Sequence, residues 1–122
     1  MPRLVMKFGG TSVANIDRIR RAAKRVGVEV AKGYEVIVIV SAMSGKTNEL
    51  VGWVNETSPL YDAREYDAVV SSGENVTAGL MALILQEMDV PARSRCSRFR
   101  LSVSSRSAKR RTSSAVARAA KM

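Results

Sequence analysis

Three short stretches of this 122-residue chain carry side chains suited to holding a charged ligand. The first is Lys7-Phe8-Gly9-Gly10-Thr11-Ser12. Lys7 offers a full positive charge, and two adjacent glycines let the backbone approach a ligand closely or adopt φ > 0. A helix starting behind them would add unpaired N–H groups and a positive dipole end, which suits a phosphate. Two readings stay open: an anion site on an α/β scaffold, or a tight βα turn with a solvated lysine. The second stretch is Ser41-Ala42-Met43-Ser44-Gly45-Lys46-Thr47-Asn48. Its Gly45-Lys46-Thr47 resembles the end of a P-loop, but that pattern needs a glycine at position 40, where Val40 stands. A P-loop is therefore excluded. The third stretch is Ser72-Gly73-Glu74. Glu74 at a helix start stabilises the dipole by up to about 1 kcal/mol, or else binds a cationic group of a substrate. Spacing alone favours the helix-start role.

These stretches need strands and helices to hold them. Residues 3–8, with the apolar run Leu4-Val5-Met6, read as a strand. From about Ala14 to Lys32 the apolar residues Ile16, Ile19, Ala23, Val26 and Val30 recur at helical steps, and Gly33 marks the stop. Val36-Ile37-Val38-Ile39-Val40 is an unbroken β-branched run, as in a parallel strand buried on both faces. Strand, helix and strand make a βαβ unit with a right-handed crossover expected. In such a sheet the loops after both strands meet at one edge, where ligands bind. Further helices are expected over Thr47 to about Thr57, Asp62 to Ser71, and Asn75 to Met88, with Ser71-Ser72-Gly73-Glu74 as a break. The last helix is apolar on most sides and should sit largely buried.

Composition removes several chemistries. There is no histidine, which excludes histidine acid–base catalysis, the Ser-His-Asp triad and most zinc sites. A single cysteine, Cys96, excludes an intramolecular disulfide and a cysteine-cluster metal site. No run approaches the ~18 apolar residues of a membrane span, and no signal-like segment opens the chain, so a cytoplasmic setting is expected. The net charge of +9 is unevenly placed. Residues 1–92 carry −1, while residues 93–122 carry +10 with no acid.

With these loops in place, residues 1–92 resemble the N-terminal part of aspartate kinase, in the amino-acid kinase superfamily. Lys7-Phe8-Gly9-Gly10-Thr11-Ser12-Val13 is similar to that family's opening signature. Ser41 to Asn48 is similar to its second loop and Ser72-Gly73-Glu74 to its third. The resemblance implies part of a three-layer α/β/α sandwich with a mainly parallel central sheet. It implies transfer of the ATP γ-phosphoryl group to the side-chain carboxylate of L-aspartate, the entry to lysine, threonine and methionine synthesis. Mg²⁺ would come with ATP, with no protein ligand identifiable in this chain. By the same match Lys7 is catalytic and binds phosphate together with Phe8, Gly9, Gly10 and Ser41, while Thr47 and Glu74 bind the aspartate. Glu74 would face its ammonium, which reverses the reading from spacing. Full-length members of the family are expected to be oligomeric. No membrane or specific nucleic-acid partner is implied.

From Arg93 the pattern departs from the family. Eight serines and ten Lys/Arg fill the last 30 residues. Such a segment cannot bury enough surface to offset its ordering entropy, so residues 93–122 are expected to be disordered alone or out of frame. The remaining kinase parts would lie elsewhere, and this chain alone is expected to show no turnover. A different class also fits the charge: a small basic protein whose tail binds nucleic acid or anionic surfaces in a salt-dependent way. The abrupt change at one point makes a direct expectation for the coding DNA. One of the other two frames should continue with aspartokinase-like sequence beyond codon 92. Its absence from both would end the out-of-frame idea.

Overall fold

The computed structural model describes residues 2–95 and, as backbone, 115–119. The element order is β1 (Arg3–Phe8), α1 (Ile16–Ala31), β2 (Glu35–Val40), α2 (Lys46–Thr57), α3 (Ala63–Val70), α4 (Ser72–Glu87), β3 (Ala92–Arg95) and β4 (Ala115–Ala119). Burial alternates along β1: Arg3, Val5 and Lys7 are exposed, while Leu4 and Met6 are half-buried and Phe8 is buried. On β2 the fully covered apolar positions are Val36, Val38 and Val40. These residues join Ile19, Val26 and Val30 of α1 and Met81 and Leu85 of α4 in one core. The helices that close this core are α1 and α4, which also pack on each other. The α2–α3 pair packs beside α4. Two of the three layers of a sandwich are thus present among the described residues.

The sheet order is β1-β2-β4-β3. β1 and β2 are parallel, with Lys7 opposite Ile39 and Phe8 opposite Val40. β4 runs antiparallel to both of its neighbours, so β1, β2 and β3 all point one way. The expected α/β class and mainly parallel direction hold in this sense. Order is not expected from residue 93 onward, yet β3 extends to Arg95 and β4 is a strand. Ladder pairing uses backbone N–H and C=O groups, which even a basic, serine-rich segment carries, so lack of an apolar period does not forbid it. The rest of that tail, 96–114 and 120–122, lies outside the described residues.

The helix ends follow their local chemistry. The Asn15 side chain caps α1 by accepting from the Arg18 N–H at 3.0 Å. Gly33, at φ 99°, turns the chain out of α1 through a left-handed conformation that a side chain resists. Asp62 caps α3, accepting from the Arg64 N–H at 2.8 Å. The expected break before α4 narrows to Ser71. The Ser71 N–H still bonds Asp67 O at 2.9 Å, and the Ser72 hydroxyl donates to Val69 O at 2.6 Å. Helix therefore resumes at Ser72, three residues before the expected start. As expected, α4 sits largely buried, with Val76, Leu83, Gln86 and Glu87 as its exposed positions. By length and composition the run Ala63–Glu87 would suffice to cross a membrane, with a mean hydropathy of 1.4 over its most apolar 18 residues. Valine, leucine and isoleucine raise that mean without an unbroken apolar run, and in this fold Met81 and Leu85 of the run are fully buried core residues.

The contrast within α4 is directly testable. Met81 is wholly buried and Leu83 is 62% exposed. Met81→Ala should cost about 2–5 kcal/mol of unfolding free energy, through lost transfer energy and a cavity. Leu83→Ala should stay within about 0.5 kcal/mol. Urea titration followed by Trp53 fluorescence measures both.

Candidate functional site

Because β1 and β2 are parallel and end opposite each other, their following loops leave the sheet at the same edge. The backbone at Gly10 lies against the Ala42 carbonyl, 3.6 Å from where a Cβ would stand. Between the loops is a cleft of about 460 Å³. The first loop contributes Gly10 and Thr11, and the second contributes the run from Ser41 to Gly45. The first turn of α2 adds Thr47 and Asn48, and α4 adds Glu74. Three separate sequence stretches therefore meet in one concavity.

Among the residues expected in the site, Gly10, Ser41, Thr47 and Glu74 line this cleft. Lys7, Phe8 and Gly9 are not among the lining residues. Phe8 is a core side chain at 7% exposure, so only its backbone is free to meet a ligand. Lys7 is exposed one residue before the end of β1 and forms no ion pair with another described residue. Its charge is uncommitted at the edge where the cleft opens. Thr11, Ser44 and Asn48 line the cleft although residue type alone did not single them out. Their signal was position, within or beside the same small-residue loops.

Two local expectations change. The glycines Gly9 and Gly10 do not use positive φ; the glycines that do are Gly33 and Gly45. At Gly9-Gly10 the benefit is space for close approach, and the turn closes through Ser12 N–H to Gly9 O at 3.0 Å. The helix start behind this loop also differs. α1 begins six residues after Gly10, its first turn is capped by Asn15, and Arg18 reaches back to Thr11 O at 3.1 Å. The helix starts that meet the cleft are those of α4, which carries Glu74, and of α2, and no described side chain caps either. α2 has Gly45 as its N-cap, at φ 76°. Its first-turn donors and dipole therefore favour negative charge in the cleft.

Glu74 supplies the opposite polarity. Its Oε2 is buried and has no hydrogen-bond partner among the described residues. Burial pushes its carboxyl above the ordinary value of 4.5, and a hydrogen bond from its own backbone N–H opposes this. A buried carboxylate oxygen without a partner is costly, and a ligand cation would relieve that cost. The cleft thus has an anion-favouring wall at Gly10 and α2 and a cation-favouring group at Glu74. That polarity suits a ligand with one cationic and one anionic end.

The sequence pattern of the amino acid kinase family matches residues 2–122. An aspartokinase of Rickettsia felis is 55% identical over 97 residues, covering 77% of this chain and 24% of that protein. Among solved structures, an aspartate kinase from Synechocystis superposes with TM-score 0.69 at 42% identity, over 73% of this chain and 15% of that one. An E. coli aspartokinase III, solved in complex with aspartate and ADP, superposes with TM-score 0.53 at 26% identity, over 74% and 30% respectively. The chain spans about a quarter of the length of the Rickettsia relative it matches.

The raised carboxyl of Glu74 has a defined pH consequence. The folded state holds this proton more tightly than the unfolded state, so the contribution is fully present below the ordinary value of 4.5. It is lost as pH rises from there through the folded-state value. Glu74→Gln should remove the loss. Thermal midpoints measured from pH 4 to 8 should show the variant gaining on the parent as pH rises. Parallel curves would show that Glu74 is not strained by burial.

Proposed function

The chain belongs to the amino acid kinase family, and on that premise we propose that its cleft is the amino-acid and phosphate corner of an aspartate kinase. The observation that carries this reading is the buried oxygen of Glu74, without a partner among the described residues, in one cleft with Ser41, Thr47 and Gly10. The substrate would be L-aspartate, its ammonium paired with Glu74 and its α-carboxylate held near Thr47. The side-chain carboxylate would then face Ser41 and the glycine loop. The reaction is transfer of the γ-phosphoryl group of ATP to that carboxylate. A carboxylate oxygen forms the new bond to phosphorus, the bond to the ADP oxygen breaks, and the product is an acyl phosphate. No covalent enzyme intermediate or proton-transfer group is needed, which suits a chain without histidine.

Each residue then has a distinct task. Lys7 would neutralise charge on the phosphate oxygens as it spreads over the transferred group. Gly9 and Gly10, with the backbone at Phe8, would bring N–H groups near the phosphates. Ser41 would orient the reacting groups, which is worth much of the barrier when the geometry is held closely. Among the described residues, Glu74 is the only acidic one of the cleft lining. Magnesium, which binds oxygen ligands and keeps several waters, would therefore be held chiefly by nucleotide phosphates rather than by a protein cage. When bound it supplies charge neutralisation. The activity of the longer relatives would be the first step toward lysine, threonine and methionine, in the cytoplasm and in oligomers. Residues 1–92 would carry this chain's share of it.

Calorimetry of the chain with L-aspartate and with succinate, which lacks the ammonium, tests the reading. L-aspartate should bind and succinate should not compete. Glu74→Ala should weaken aspartate binding about ten- to a hundredfold, the value of one charge-assisted hydrogen bond. Equal binding of the two acids would overturn the assignment. Trapping acyl phosphate with hydroxylamine should give no product from this chain alone, and product that Lys7→Ala abolishes would overturn that expectation.

A further inference from the structure

The cleft depends on how closely α4 approaches the second loop, and that approach is narrowest at Gly73. A Cβ at position 73 would stand 2.9 Å from the Ala42 Cβ, 3.3 Å from Leu50 Cδ1 and 3.5 Å from Lys46 Cγ. The first separation is shorter than two carbon atoms tolerate, and the Ala42 methyl is fixed to its backbone. Ala42 is itself buried, at 5% exposure, so it has no free side to move into. The other helical glycines are different. At Gly52 and Gly79 a Cβ would meet nothing within 4 Å, and at Gly27 it would meet only the flexible end of Met88, at 3.1 Å. Glycine weakens a helix relative to alanine, so its place in the first turn of α4 needs another cause. Among the described helices, Gly73 is the glycine whose absent side chain is required by a rigid neighbour.

We infer that Gly73 is a positioning residue. Its missing side chain lets the first turn of α4 seat on Ala42, and that contact sets where the carboxylate of the next residue, Glu74, stands in the cleft. The inference deepens the reading of the cleft as an amino-acid site and rests on it for the ligand, though not for the geometry. A methyl group at 73 would lift the turn away from the loop. Thr77 shows how the turn is otherwise held: its hydroxyl, fully buried, donates to Gly73 O at 3.2 Å. The turn would therefore shift as a unit and carry Glu74 outward. Of the charged groups on the packed elements, Lys46 and Glu49 of α2 hold each other at 2.9 Å. Arg64, Glu65 and Asp67 of α3 are exposed. Burial, rather than a neighbouring charge, is then what the Glu74 carboxyl would report.

The test exchanges one methyl group across the contact. The full chain is compared with Gly73→Ala, with Gly79→Ala on the same helix, and with the double variant Gly73→Ala, Ala42→Gly. The first readout is the titration midpoint of the Glu74 carboxyl by carbon NMR, without ligand. Gly73→Ala should bring it back toward 4.5, the ordinary value, while Gly79→Ala should titrate as the parent does. The double variant should recover the parent's midpoint. The second readout is calorimetry with L-aspartate. Gly73→Ala should weaken binding by roughly tenfold or more, as a displaced group does, and the double variant should recover it to within about threefold. A Gly73→Ala protein that titrates as the parent overturns the inference, and so does a double variant that recovers nothing. Should Gly73→Ala fail to fold, the double variant decides: the parent's midpoint supports the inference, and an unfolded protein or an ordinary midpoint overturns it. Absence of aspartate binding by the parent would instead strike the functional reading, since the ligand-free midpoint does not depend on it.

Discussion

The parallel pairing of β1 with β2 is the constraint from which the site follows. Lys7 stands opposite Ile39 and Phe8 opposite Val40, so both strands end level at one edge. A parallel pair needs a crossover, and α1 supplies it, with Val26 and Val30 buried in the core that Val36 and Val38 share. A one-residue slip in that register would turn the covered face of β2 outward and carry one loop away from the other. The Arg3–Glu35 ion pair, at 3.1 Å, spans the same register at the strands' beginnings. Arg3 is largely exposed, so the pair contributes little energy compared with the valine face.

The helix α4 links that frame to the chemistry. Its buried side, with Ala78, Met81 and Leu85, packs against the sheet and α1, while its first turn carries Glu74 into the cleft. One rigid element thus holds both the core and the charged group. The geometry leaves the Glu74 carboxylate partly desolvated, a cost that no described residue offsets at Oε2. Charged groups held in that state sit where ligands bind more often than elsewhere. The uncapped start of α2 at Gly45 has the opposite sign across the same space. The two together give the cleft a direction, with one end suited to an amine and the other to an anion.

Much of this was legible in the residues. The β-branched run of β2, the spacing from Ile19 to Val30 and the stop at Gly33 each report a local backbone state, and the structure has all three. The meeting of the two loops followed from the parallel pairing those elements implied. Other features were not legible. Residue type suggested free helix donors behind Gly9-Gly10, but the Asn15 cap and the distance to Ile16 place them elsewhere. The apolar content of α4 suggested burial on most sides, which holds, but not that Val76 and Leu83 would be the apolar positions left exposed. The basic tail gave no apolar period, yet backbone pairing at Ala115–Ala119 places a strand between β2 and β3.

The sequence by itself determined the local elements and the class of the fold, since hydrophobic period and loop composition act over a few residues at a time, and the resemblance of its three loop motifs pointed to the family. It also marked Lys7, Ser41, Thr47 and Glu74 as candidates. Tertiary structure alone decided which of them share a cleft, which oxygen of Glu74 lacks a partner among the described residues, and that Gly73 must be bare because Ala42 is 2.9 Å from where its side chain would begin. The reason is physical. Residues 42 and 73 are neighbours only through the packing of a loop against a helix, and close packing is a property of the assembled core that no local pattern contains.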